Sequence, residues 1–281
     1  GQLDPGLTLD ELPAGKRAAL FRYCRDLGDR VGRCPAPPRL AFPAMLAQLD
    51  PRYCRVKEIL ESCEAYSHAA RLLSRRRVSA VVDIGCGHGL IAMLCAAALP
   101  EVQVLAIDLA PRDSFTAQRE AFERSGTRLD NLRFSRGGLG EARDGTAGKR
   151  DVLLLCVHGC NQLTPDAIQL ARARGWAWLA VPCCLQSAPH LGLATLRLPD
   201  RSRHALLCGA LAAHSAAESV TAIDSRITAR GIVLASVGGE EAAGHALATR
   251  ISAREMELAG GRQTAGAKAG GGTGREGDSG G

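Results

Sequence analysis

The run Val81-Val82-Asp83-Ile84-Gly85-Cys86-Gly87-His88-Gly89 restricts the fold more than any other part of the chain. An apolar stretch carrying an acid gives way to glycines at alternate positions, and a second apolar stretch, Leu90–Leu99, follows. This order predicts a buried strand, a sharp turn and a helix. Glycine lacks a Cβ, so the backbone can turn tightly and a ligand can approach it closely. The helix begins with N–H groups that have no intrahelical partner, and it points them into the same crevice. The next apolar run ends at Asp108. An acid at the tip of a second strand can accept both hydrogen bonds of a ribose diol.

The surrounding sequence alternates in the same way. Val78–Ile84, Val102–Ile107, Asn131–Ser135, Asp151–Val157 and Trp176–Val181 read as strands. Leu90–Leu99, Ser114–Arg124 and Asp166–Arg174 read as the helices between them. Short apolar runs alternating with helical patterns predict a parallel sheet covered on both faces. Gly137–Lys149 reads as a Gly-rich loop, Ser202–Ala213 as a helix and Gly231–Val237 as a late strand. Upstream, Leu12–Leu27 is helix-like and Cys34–Pro43 is Pro-rich. Between Arg52 and Leu73, Val56, Ile59, Leu60 and Cys63 recur at helical spacing. The division expected is a helical, Pro-rich N-terminal extension (residues 1–51), an α/β domain (52–258) and a disordered Gly-rich tail (259–281), which offers nothing to bury.

Composition narrows the setting. Aromatic residues are only 4% of the chain, so Ala, Leu, Val and Ile must build the core. No window approaches the roughly 20 apolar residues of a membrane span, and no signal peptide is recognisable. The eleven cysteines are irregularly spaced, and several lie within apolar runs. That pattern excludes a secreted disulfide framework and implies a reducing compartment, the cytoplasm, or a plastid or mitochondrion if a transit peptide has been removed. A net charge of +6 includes one tight basic run, Arg75-Arg76-Arg77, which reads as solvated surface. Arg226 and Arg230, four apart, can meet phosphates or pair with nearby acids, and pairing is the favoured reading. No stable partner is predicted.

The D-x-G-x-G-x-G pattern resembles motif I of the class I S-adenosylmethionine-dependent methyltransferases. In a dinucleotide fingerprint the third glycine falls three positions after the second; here that position is Leu90. The resemblance implies a doubly wound, mostly parallel Rossmann-like methyltransferase sheet and S-adenosylmethionine as cofactor. It places Asp83, Gly85, Cys86 and Gly87 against the cofactor with His88 lining the turn, and Asp108 on the ribose. Where the family often has an acid after its third strand, this sequence has Arg136-Gly137-Gly138.

The fourth strand runs into Val157-His158-Gly159-Cys160-Asn161 and the fifth into Val181-Pro182-Cys183-Cys184. Paired H-x-C-N and P-C-C stretches, with the lead-in Pro51–Ile59, resemble a methyltransferase subgroup that includes relatives of a tRNA 2′-O-methyltransferase. The resemblance makes RNA the favoured acceptor, with His158 and Asn161 as the catalytic candidates and no metal ligand assigned. Three readings of the His158, Cys160, Cys183 and Cys184 cluster stay open. It can be acceptor chemistry, because imidazole titrates near neutrality. It can be a zinc site of thiolates and imidazole, or strand-end packing. The alternative function is a catalytically silent cofactor-binding module.

Overall fold

Four of the five parallel strands in this chain are buried on both faces, and their side chains dictate the layering. The computed structural model describes residues 3–27, 41–188, 191–192 and 197–239. The strands are β1 (Ala80–Ile84), β2 (Gln103–Asp108), β3 (Leu132–Arg136), β4 (Val152–Val157) and β5 (Ala177–Val181). β1, β4 and β5 are almost wholly inaccessible, which is why they read as apolar runs with no alternation, broken only by Asp83 in β1. Successive residues still point to opposite faces. Val81, Leu153, Leu155, Leu179 and Val181 join one core cluster. Val82, Ile84, Leu154, Cys156 and Trp178 join the other.

The first cluster is covered by α1 (Ala14–Arg25), α2 (Ala41–Gln48), α3 (Val56–Arg75), α4 (Leu90–Ala98) and α5 (Asp113–Arg124). The second is covered by α6 (Leu139–Gly145), α7 (Leu163–Ala173) and α8 (Asp200–His214). Two further strands, β8 (Ser219–Ala222) and β9 (Ile232–Ser236), extend the sheet, and β6 (Ser187–Ala188) pairs with β7 (Leu191–Gly192) apart from it. The order is β3-β2-β1-β4-β5-β9-β8. β1 to β5 pair in parallel, whereas β9 runs antiparallel to both β5 and β8. The chain winds outward from β1 to β3 and then returns to β4. The carboxyl ends of β1 and β4 therefore flank a topological switch point, where doubly wound sheets bind ligands.

This is the Rossmann-like arrangement expected, with three local differences. The segment 137–149 contains helix α6, started by Glu141, whose Oε2 accepts from the Gly138 N–H at 2.7 Å. Helix α2 occupies residues at the end of the Pro-rich stretch, because Pro43 falls in a first turn that needs no N–H from it. β8 went unpredicted: it is an exposed edge strand with no apolar run to betray it. The tail 259–281 and residues 34–40 lie outside the described residues.

The N-terminal residues share the main core. Leu20, Cys24, Leu27, Phe42 and Met45 are buried in the first cluster, and the Leu3 N–H donates to the Arg226 carbonyl at 2.9 Å. The basic run is structural in part. Arg76 donates to the carbonyls of Gly175 and Val237 at 2.9 and 2.7 Å, tying β5 to the end of β9, while Arg75 pairs with Glu218. Among the described residues, no helix is long and apolar enough to cross a membrane.

Asn131 closes the C-terminal end of α4. Its Nδ2 lies 3.2, 2.8 and 2.8 Å from the carbonyls of Ala96, Leu99 and Val102. Asn131→Ala leaves these acceptors without that donor and is expected to cost about 1–3 kcal/mol, read as a lower urea midpoint at unchanged slope.

Candidate functional site

The turn after β1 is held by its neighbour strand. The N–H groups of Gly85 and Cys86 donate to the Ile107 carbonyl at 2.8 and 3.0 Å, and the Gly87 N–H donates to Asp108 Oδ2 at 2.8 Å. Gly85 and Gly89 have φ of 68° and 74°, in the left-handed region that other residues enter at a cost. A Cβ on Gly89 would also lie 2.3 Å from the Phe115 ring. The glycine spacing is thus demanded by backbone and packing together. At the start of α4 the Leu90 N–H donates to His88 Nδ1 at 3.2 Å, so that nitrogen is the unprotonated one. Burial, the largest influence, lowers the pKa of His88 and keeps it neutral.

A cavity opens over this turn. It is lined by Asp83, Gly85, Cys86, Gly87 and His88 together with Glu58, Glu61, Ser62, Ile91, Arg112, Val157 and His158. Asp83 is 1% exposed, and its Oδ2 has no hydrogen-bond partner. Burial first, and the nearby Asp108 second, push its pKa up to about 7. Cys86 is raised as well, mainly by burial, and stays a neutral thiol. Of the cofactor residues expected from sequence, Asp83, Gly85, Cys86 and Gly87 line this cavity. Asp108 is not among the lining residues, and each of its oxygens already accepts a backbone N–H, from Gly87 and from Leu109. The cavity mixes acids (Glu58, Glu61, Asp83) with the cation of Arg112. That donor set suits a ligand carrying an ammonium, a sulfonium and a carboxylate, and the partnerless Asp83 oxygen is the acceptor such an ammonium needs.

A second cavity adjoins the first. Leu3, Pro5, Lys57, His158, Cys183, Ile227, Thr228, Ala229 and Arg230 line it. His158 belongs to both linings and stands between them. Its backbone enters the left-handed region (φ 58°), and its N–H donates to the Val181 carbonyl at 2.9 Å, which fixes the end of β4 against β5. The buried Nε2 lies 3.3 Å from Glu61 Oε1, close enough for an ion pair although not aligned as a hydrogen bond. Burial raises the pKa of Glu61, but His158, Lys57 and Thr228 more than offset it and hold the carboxyl below its usual range.

Asn161 is exposed with φ 53° and lines neither cavity. The zinc reading that included His158 is corrected here: its imidazole turns to Glu61, while Cys160, Cys183 and Cys184 gather without it. Arg226 and Arg230 pair with Asp224 and Asp200, as expected. Glu61, Lys57 and Arg112 were missed from sequence. For Glu61 helical periodicity gave no signal, since on α3 it lies two residues from both Ile59 and Cys63 and so off their face.

Residues 52–188 match a family model described as a methyltransferase domain. The match contains the glycine turn and His158, and supports the class I methyltransferase resemblance. No curated protein matches the chain in sequence. Among solved structures, the antibiotic-resistance methyltransferase Kmr is 18% identical, covering 60% of this chain and 91% of its own at a TM-score of 0.37. A 16S rRNA (adenine(1408)-N(1))-methyltransferase from Catenulisporales acidiphilia is 21% identical over 60% of this chain and 88% of its own, TM-score 0.36. The Methanococcus jannaschii fibrillarin pre-rRNA processing protein is 12% identical over 58% and 69%, TM-score 0.38. All three likenesses are distant.

Asp83 makes stability pH-dependent. Its folded pKa of about 7 lies above the ordinary 3.8, so the folded state holds the extra proton between those values. That contribution is complete below the lower value and disappears as pH rises through about 7. Wild-type stability should therefore fall across this window. Asp83→Asn should flatten the fall, as measured by denaturation midpoints at a series of pH values.

Proposed function

We propose that the chain transfers a methyl group from S-adenosylmethionine to RNA. The observation that carries this reading is the position of His158, which stands between a cofactor-suited cavity and a neighbouring one. S-adenosylmethionine supplies an electrophilic methyl group on a sulfonium. Asp83 and Arg112 would hold its ammonium and carboxylate, and Asp108 its ribose. Leu109, 75% exposed beside Asp108, offers apolar surface to the base. Glu61 faces the buried Nε2 of His158, and Nδ1 is the nitrogen assigned to accept a proton from an acceptor hydroxyl or amine. Most of the acceleration comes from alignment, since a nucleophile held behind the methyl carbon needs little further help. Asn161 is assigned to shaping the loop that presents His158. Lys57 and Arg230 line the second cavity, each paired with an acid (Glu61 and Asp200), and the net positive charge and the subgroup resemblance favour a phosphate-bearing acceptor.

Two measurements test the reading. Calorimetric titration with S-adenosylhomocysteine should show binding that Asp108→Ala weakens roughly 10- to 100-fold, the worth of hydrogen bonds to a charged group. Affinity should also rise as pH approaches 7, because a ligand ammonium favours ionised Asp83. A folded wild type that does not bind removes the cofactor assignment. Radiolabelled methyl transfer to cellular RNA should fall at least about 100-fold in His158→Ala, with cofactor binding kept. Cofactor binding without transfer to RNA, protein or small molecules by the wild type would instead identify a silent binding module.

A further inference from the structure

Three thiols converge outside the carboxyl ends of β4 and β5 and take no part in the methyl-transfer scheme. The sulfurs of Cys160, Cys183 and Cys184 all lie within 4.8 Å of one another, and Cys160 and Cys183 are 3.6 Å apart. Zinc–sulfur bonds of about 2.3 Å in a tetrahedron place neighbouring sulfurs about 3.8 Å apart, so this edge is close to that of a zinc–thiolate centre. A disulfide would use two of the thiols and strand the third.

The loop that presents Cys160 is built at a cost. His158 and Asn161, on either side, both hold positive φ, a conformation worth about 1–3 kcal/mol of strain in each residue. Gly159 between them has no room for a side chain, since a Cβ would sit 2.3 Å from Cys156 Sγ and 2.8 Å from Thr164 Oγ1. Thr164 Oγ1 donates to the Gly159 carbonyl at 2.7 Å and pins the loop. From the other side, Arg230 donates to the Cys183 carbonyl at 2.7 Å and reaches Cys184 Sγ at 3.8 Å. Three thiolates around a divalent ion leave one negative charge, and it would lie beside the guanidinium of Arg230, which Asp200 also pairs. An all-sulfur set selects zinc over magnesium or calcium.

We infer that Cys160, Cys183 and Cys184 bind one zinc ion. Among the described residues these three supply the ligands, and Cys183 also lines the second cavity. Three protein ligands with one open position is the form taken by zinc sites that meet a small ligand. The inference does not depend on the methyl-transfer reading, because zinc content is measured without cofactor or acceptor.

The full chain, purified without chelator, should contain about one zinc per molecule by elemental analysis. Cys160→Ser, Cys183→Ser and Cys184→Ser should each lose most of it, whereas Cys24→Ser, in the core elsewhere, should keep it. If the serine variants fail to fold, the wild type alone decides. Cobalt(II) added to metal-stripped, folded wild type should give a thiolate-to-metal charge-transfer band that saturates at one equivalent and disappears on adding zinc. A folded wild type that carries no zinc and gives no such band overturns the site. So do folded serine variants that retain their metal.

Discussion

The Gly87 N–H held by the Asp108 carboxylate is the contact on which the rest of the site depends. Five parallel strands end in one layer, and at the β1/β4 boundary the chain must leave that layer without burying unpaired backbone groups. The Ile107 carbonyl and the Asp108 carboxylate together take three successive N–H groups of the turn. This lets the backbone bend over the end of β2, sets the axis of α4 and opens the cavity above. With that turn in place, Asp83 is left in the interior with one oxygen lacking a donor, and the molecule stores an unmet electrostatic demand where a cationic ligand would enter.

His158 connects the cavity over the glycine turn to the one beside it. It is fixed by two very different forces. A backbone hydrogen bond to Val181 aligns β4 with β5, and a carboxylate from α3 faces its ring. The first comes from the sheet and the second from a helix packed on it. Together they restrict the ring to the boundary of two cavities. The same strained loop turns its next cysteine toward those following β5, so one irregular segment, 158–161, serves both sets of groups.

Much of this was readable from residues alone, for a definable reason. β1, β4 and β5 are buried on both faces, so their identity is written as apolar runs without alternation, and the glycines after β1 are fixed by positive φ and by the Phe115 ring. β8 carries no such signature, because an exposed edge strand has no core to face. The α6 segment misled because its glycines suggested a loop, while Glu141 and the buried Ala142 made a helix. Site residues from strand ends, such as Asp83 and His158, follow from the topology. Glu61 does not, because one of several glutamates on a long helix becomes distinct only when packing turns it inward. Asn161 was given a chemical role by its neighbours in sequence, whereas its backbone conformation explains its place in the loop.

The two cavities draw on the chain very differently. The lining over the glycine turn comes from residues between Glu58 and His158, one continuous stretch of about a third of the sequence. The adjoining one gathers Leu3 and Pro5 from near one end, Cys183 from the middle and Ile227 to Arg230 from the last strand pair. Substitutions near either end can therefore reshape one wall while the other stays intact. In an evolving lineage, one cavity can change shape while most of the other's lining is kept.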